Sequence, residues 1–152
     1  MSRDILNKLS VETCLAPIVK TTTTNCTGVG MANYRSLAFT VHYGATGDTL
    51  SGSVYVTAKV QKSTDNSSFT DCGATELILG DSVSTSNAFA LINDNSEDDE
   101  VYMAGVIIDP DYDYYRVVLT FTGTHTYGIE VAVLALRGIG EFPVSTNLAT
   151  PA

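Results

Sequence analysis

Along residues 36–43 and 54–61, apolar and polar side chains alternate with a period of two. In the first stretch Leu37, Phe39, Val41 and Tyr43 fall on one side, and Ser36, Ala38, Thr40 and His42 on the other. In the second, Val54, Val56, Ala58 and Val60 oppose Tyr55, Thr57, Lys59 and Gln61. A pleated strand points successive side chains to opposite faces, so both stretches predict half-buried β-strands. Residues 114–121 repeat the pattern, with Tyr115, Val117, Leu119 and Phe121 against Tyr114, Arg116, Val118 and Thr120. Two other runs, VYMAGVII (101–108) and YGIEVAVLAL (127–136), are apolar on both faces. In the second of these, Ile129, Val131, Val133 and Ala135 share one face and Ala132, Leu134 and Leu136 the other. An antiparallel sandwich ordinarily leaves one strand face to solvent, so a second apolar face needs a cover. That cover is either a loop of the same chain or a neighbouring subunit, which makes Ala132, Leu134 and Leu136 candidate interface residues.

Turn signals separate these runs. GATGD (44–48) carries two glycines, and TDNSS (64–68) has no apolar residue. Asp65 and Asn66 tolerate turn backbone and hydrogen-bond it locally, after which Phe69 is expected to return to the core side. TELILG and NAFALI are short apolar runs, strands or loop anchors, and NDNSEDDE (93–100) is an exposed acidic loop. Near the start, Ile5, Leu6 and Leu9 recur at helical spacing behind Asp4, which predicts one helical turn over 2–12. So short a helix needs a surface to dock on, and its three apolar residues are a second candidate contact. TTTTNCTG (21–28) suits an extended edge or a linker, and EFPVSTNLATPA reads as an extended arm. About eight strands joined by Gly, Asp, Asn and Thr turns predict an all-β fold, an antiparallel β-sandwich of jelly-roll-like form. The chain then divides into a docking segment (1–12), a sandwich domain (13–140) and a tail (141–152).

At 152 residues the chain is long enough for one domain with a real core. Eight basic against seventeen acidic residues give a formal charge of −9. Such a surface repels a phosphate backbone, and no Lys/Arg cluster offsets it, so no nucleic-acid partner is expected. The apolar runs are far short of a membrane span, so no membrane partner is expected either. MSRDILNKLS lacks the apolar stretch of a signal peptide. Cys14, Cys26 and Cys72 form no CxxC pair and no metal-ligand rhythm with His42 or His125, which predicts free, buried thiols in a reducing compartment.

Candidate chemistry adds little. His42 falls on the polar face of its strand and His125 in the turn-like TGTHTYG, so both read as solvent-facing or turn residues without a nucleophile motif nearby. Eight of the seventeen carboxylates lie within residues 94–113. Asp109, Asp111 and Asp113 repeat at a spacing of two, as hard oxygen ligands for calcium could. The EF-hand pattern fails, because Tyr114 stands where glycine is needed and Thr120 where glutamate is needed. The plainer reading is a solvated acidic loop, with Arg116 softening the repulsion. There is no GxGxxG, P-loop or zinc spacing, so no catalytic residue, metal ligand or cofactor is expected and the protein reads as a non-enzyme.

Certain stretches resemble a known group. MSRDILNKLSV at the start, Tyr34-Arg35-Ser36-Leu37-Ala38-Phe39, GDTLSGSVYVTAKVQKSTDNSSFTDC and YYRVVLTFTGTHTYGIEVAVLALRG follow in that order. Over roughly residues 1–140 this resembles small structural proteins of tailed bacteriophages that act as capsid decoration or cement proteins. The resemblance implies a virion component without enzymatic activity, made in the host bacterial cytoplasm. It would be bound to the major capsid protein on the capsid exterior, as a homo-oligomer. A homotrimer is the expected form, because capsid lattices offer threefold axes. The rival expectation is a tail-associated or carbohydrate-binding β-sandwich, for which exposed Tyr55, Tyr112 and Tyr114 beside carboxylates would speak.

Overall fold

The alternating runs become strands of two stacked antiparallel sheets in a computed structural model that describes residues 8–79 and 87–139. In chain order the strands are β1 (Leu9–Lys20), β2 (Thr24–Asn25), β3 (Val29–Gly30), β4 (Ser36–Thr46) and β5 (Tyr55–Ser63). They continue with β6 (Thr70–Asp71), β7 (Leu77–Leu79), β8 (Ala88–Ile92), β9 (Val101–Val106), β10 (Tyr114–Thr122) and β11 (Ile129–Gly138). A 3-10 turn at Ala74–Glu76 is the only helical element among the described residues. The first sheet has the order β1-β11-β4-β9-β7. In the second, β10 and β5 pair at the centre; β2 and β3 line the free side of β10, and β6 and β8 that of β5. The expected antiparallel β-sandwich is the observed architecture.

The period of two decides which side chains meet between the layers. Phe39, Val41 and Tyr43 of β4 and Val131, Val133 and Ala135 of β11 point inward from the first sheet. Val56, Ala58 and Val60 of β5 and Tyr115, Val117 and Leu119 of β10 point inward from the second. Burying each larger side chain contributes about 1.5–3 kcal/mol, so this double layer is the main source of stability. Tyr43 is fully buried and stacks edge-on against Tyr102 at 6.0 Å. Its hydroxyl has no hydrogen-bond partner among the described residues, and burial pushes its pKa well up. Tyr43→Phe removes that unpaired hydroxyl and keeps the ring, so it is expected to be neutral or to stabilise by up to about 1 kcal/mol in urea titration.

Three expectations are corrected. Leu9 through Glu12 open β1 rather than a helix; Leu9 pairs with Gly138 and Val11 with Leu136. Pairing to β11 satisfies backbone groups that a lone helical turn would leave open. Phe69 does not return to the core; it lies half-buried under the Arg116 guanidinium, 3.9 Å from ring centroid to Cζ. His125, read as a solvent-facing or turn residue, does lie in the turn between β10 and β11 but is buried rather than solvent-facing. The turn before Phe69 behaves as expected. Asp65 Oδ1 accepts the amides of Ser67 and Ser68 at 2.9 and 2.8 Å, and Asn66 takes φ +58°. Ile5, Leu6 and the tail 141–152 lie outside the described residues.

Candidate functional site

The outward side of the first sheet is where the sequence placed its unexplained apolar residues. Strand register aligns them in rows. Val11, Leu136, Ala38, Gly105 and Ile78 form one row across β1, β11, β4, β9 and β7. Thr13, Leu134, Thr40 and Met103 form the next, and Ala132, His42 and Val101 a third. Leu9 stands at the margin beside Gly138. Within this face Ile78 is 61% exposed, Val101 60%, Val11 and Met103 58% and Leu134 36%. No described element of the chain covers them. Of the predicted interface residues, Leu9, Ala132, Leu134 and Leu136 therefore come together on one surface. Val11, Ile78, Val101 and Met103 were missed as members, although the two-faced apolar run 101–108 carried the signal.

The second sheet's outer side has a different character. Tyr55, Thr57, Lys59 and Gln61 of β5 face outward beside Arg116, Thr120 and Thr122 of β10. Arg116 Nε and Nη2 donate to Gln61 Oε1 at 2.9 and 2.8 Å, and Gln61 Nε2 donates to Asp71 at 2.8 Å. A hydrogen-bonded polar face of this kind needs no cover. Tyr55 and Tyr114 sit at opposite ends of the β5–β10 ladder, and Tyr112 packs against the core beneath Lys62. The three tyrosines do not form one platform on which a sugar could stack.

The titratable groups are mostly tied into the scaffold. Asp48 lies in the turn after β4, where its Oδ1 accepts the amides of Thr126 and Tyr127, both at 2.9 Å. Its Oδ2 accepts the Gly128 amide at 2.8 Å and faces His125 Nδ1 at 3.6 Å. Burial works against the charge, but these amides and the neighbouring imidazole win and hold the carboxyl below its usual range. His125 Nε2 reaches the Thr122 carbonyl at 3.1 Å, and its ring meets Phe121 edge-on at 4.9 Å. This pair locks the β10–β11 corner; Asp48 was not singled out from sequence, and His125 was read there only as a solvent-facing or turn residue.

The acidic region is likewise structural. Glu97 Oε2 accepts the Asn93 and Asp94 amides, and Asp98 Oδ2 accepts the Thr46 amide at 3.0 Å. Lys62, not Arg116, offsets Asp109, at 2.9 Å, and also pairs with Glu76. Burial opposes the Lys62 charge, yet these two carboxylates raise its pKa. Among the described residues no group of three or more His, Cys, Asp or Glu is gathered closely enough to hold a metal ion. Cys14, Cys26 and Cys72 are free and buried, as expected; burial pushes their pKa to about 11, 12 and 12, which makes them poor nucleophiles.

A shallow cleft of about 290 Å³ is lined by Pro17, His42, Gly44, Asp99, Glu130, Val131 and Ala132, and another of about 280 Å³ by Gly30, Met31, Ala32, Asp113 and Tyr114. The first places an exposed imidazole near two carboxylates but contains no hydroxyl or thiol to act as nucleophile. Among the described residues no helix is long and apolar enough to cross a membrane. The chain matches no protein-family model, and no curated protein is significantly similar to it.

Proposed function

We propose that this chain is a structural virion protein that binds and stabilises the capsid of a tailed bacteriophage, decorating its exterior. The observation that carries the reading is the apolar outer face of the first sheet in a chain of net charge −9. A broad exposed apolar surface on a rigid two-layer scaffold supports work through protein contacts rather than turnover. The order of the strands supports the jelly-roll reading. If β2 and β3 count as one interrupted edge and the short edge strands β6 and β7 are set aside, the eight main strands interleave first-eighth-third-sixth and second-seventh-fourth-fifth. The partners in this reading are the major capsid protein and further copies of the chain. The split tyrosines give the carbohydrate-binding alternative no support.

Mass spectrometry of purified virions, separated into heads and tails, tests the proposal. The expected result is the chain in the head fraction at many copies per particle. Its absence from virions, or its confinement to tails, overturns the reading.

A further inference from the structure

The apolar outer face has a specific shape and charge pattern, and both bear on what covers it. Its strands of twelve, ten, eleven, six and three residues span roughly 650 Å² at ordinary strand spacing and rise. Pairing two such faces removes roughly 1,300 Å² from solvent, above the ~1,000 Å² that a specific interface needs. Flat sheet faces also pack well on one another, at a separation of about 10 Å. The sheet's edges are poorer candidates. At one edge β7 has only three residues; at the other β1 carries Pro17 and two register shifts.

Charge is distributed by end. Asp99, Glu100 and Glu130, all exposed, gather where β11 begins and β9 begins. Lys8 and Arg35, also exposed, stand at the other end, where β1 and β4 begin beside Gly138. Between the two ends the face carries no Lys, Arg, Asp or Glu in its three rows. A copy turned about a two-fold axis that crosses the strands lays each acidic end over the partner's basic end. The same operation lays apolar row on apolar row. The pattern is thus complementary to itself, which an isologous contact requires.

We infer that the outer face of the first sheet is covered by the same face of a second copy, in a two-fold dimer with antiparallel strands across the interface. The inference deepens the proposed function, because it rests on reading that face as a contact surface and names its partner. It replaces the threefold expectation, which came from lattice axes alone; one face meeting itself closes as a dimer.

Sedimentation of the full chain over a concentration series reads the assembly directly. A dimer is expected, and Leu134→Asp is expected to weaken it by on the order of 100-fold, since Leu134 lies in the middle row. Thermal unfolding of the dilute variant confirms that it still folds. Thr40→Cys, in the central row of the central strand β4, is expected to form a disulfide between copies under mild oxidation. Thr120→Cys, on the second sheet's outer side, is expected to form none. A monomer at about 100 μM overturns the inference, whether the face is left bare, taken by a terminal segment or reserved for the capsid protein. A trimer overturns it too, as does a dimer that resists Leu134→Asp. A monomer found in heads leaves the virion reading intact, whereas a dimer absent from virions removes that reading and keeps this one.

Discussion

Asp48→Ala is expected to lower the stability of the fold by about 3–4 kcal/mol, one of the largest effects of any single substitution in this chain. The carboxylate accepts three consecutive amides, from Thr126, Tyr127 and Gly128, and faces the His125 ring. Alanine strands these donors in a site with little access to water, each having lost a charge-assisted partner. For a domain of this size the loss corresponds to a melting temperature lower by roughly 10 °C. Asp48→Asn keeps one carbonyl oxygen and is expected to fall between the two. Acid modulates the difference in a fixed direction. The folded carboxyl titrates below its ordinary range, so its contribution is complete above the unfolded pKa of about 3.9 and is lost as pH falls through the folded value. The stability gap between the native chain and Asp48→Asn is therefore expected to be steady near neutrality and to narrow in acid. Urea titrations at a series of pH values measure it.

Gly128→Ala is expected to be about as damaging, at about 3 kcal/mol, for a reason of backbone rather than charge. Gly128 takes φ +75°, a conformation alanine adopts only with strain. A Cβ there would sit 2.5 Å from the Lys20 carbonyl oxygen and 2.8 Å from Thr21 Cγ2. Lys20 is the last residue of β1 and is paired with Ile129, so its carbonyl cannot retreat without loosening the sheet margin. Gly52 provides the control. An added Cβ there meets nothing within 4 Å, and Gly52→Ala is expected to leave the melting temperature unchanged. Thermal denaturation of the two variants side by side checks both outcomes.

What could be read from the sequence was local. Alternation within 36–43, 54–61 and 114–121 reports each residue's own face, and the inward and outward sets matched the structure strand by strand. The same logic found Ala132, Leu134 and Leu136. It failed at the start of β1, where Leu9, read at helical spacing with Ile5 and Leu6, pairs as a strand residue with Gly138. Partnerships across the chain left no local trace. Asp48 and His125 are far apart in sequence, and nothing in GATGD or TGTHTYG says that one turn holds the other. Lys62 lies just past the predicted strand 54–61, and nothing around it in sequence signals the Glu76 and Asp109 that the fold brings to it. The outer face was half legible, because Val11 sits in a stretch read as a helical turn and Ile78 in one left open between strand and loop anchor.

The pairing of β1 with β11 has a consequence for how the chain comes to be folded. β1 is the first strand described and β11 the last, and among the described strands of its sheet β1 pairs with β11 alone. On a ribosome β1 thus waits for this partner until β11 has been made. Consecutive main strands mostly cross from one layer to the other, so neither sheet can assemble from a contiguous half of the sequence. Contacts of such wide sequence separation make a slow-folding topology, on the order of milliseconds to seconds. The growing polypeptide holds apolar strands open to its surroundings for that whole interval, and chaperone capture is most useful to it before β11 emerges.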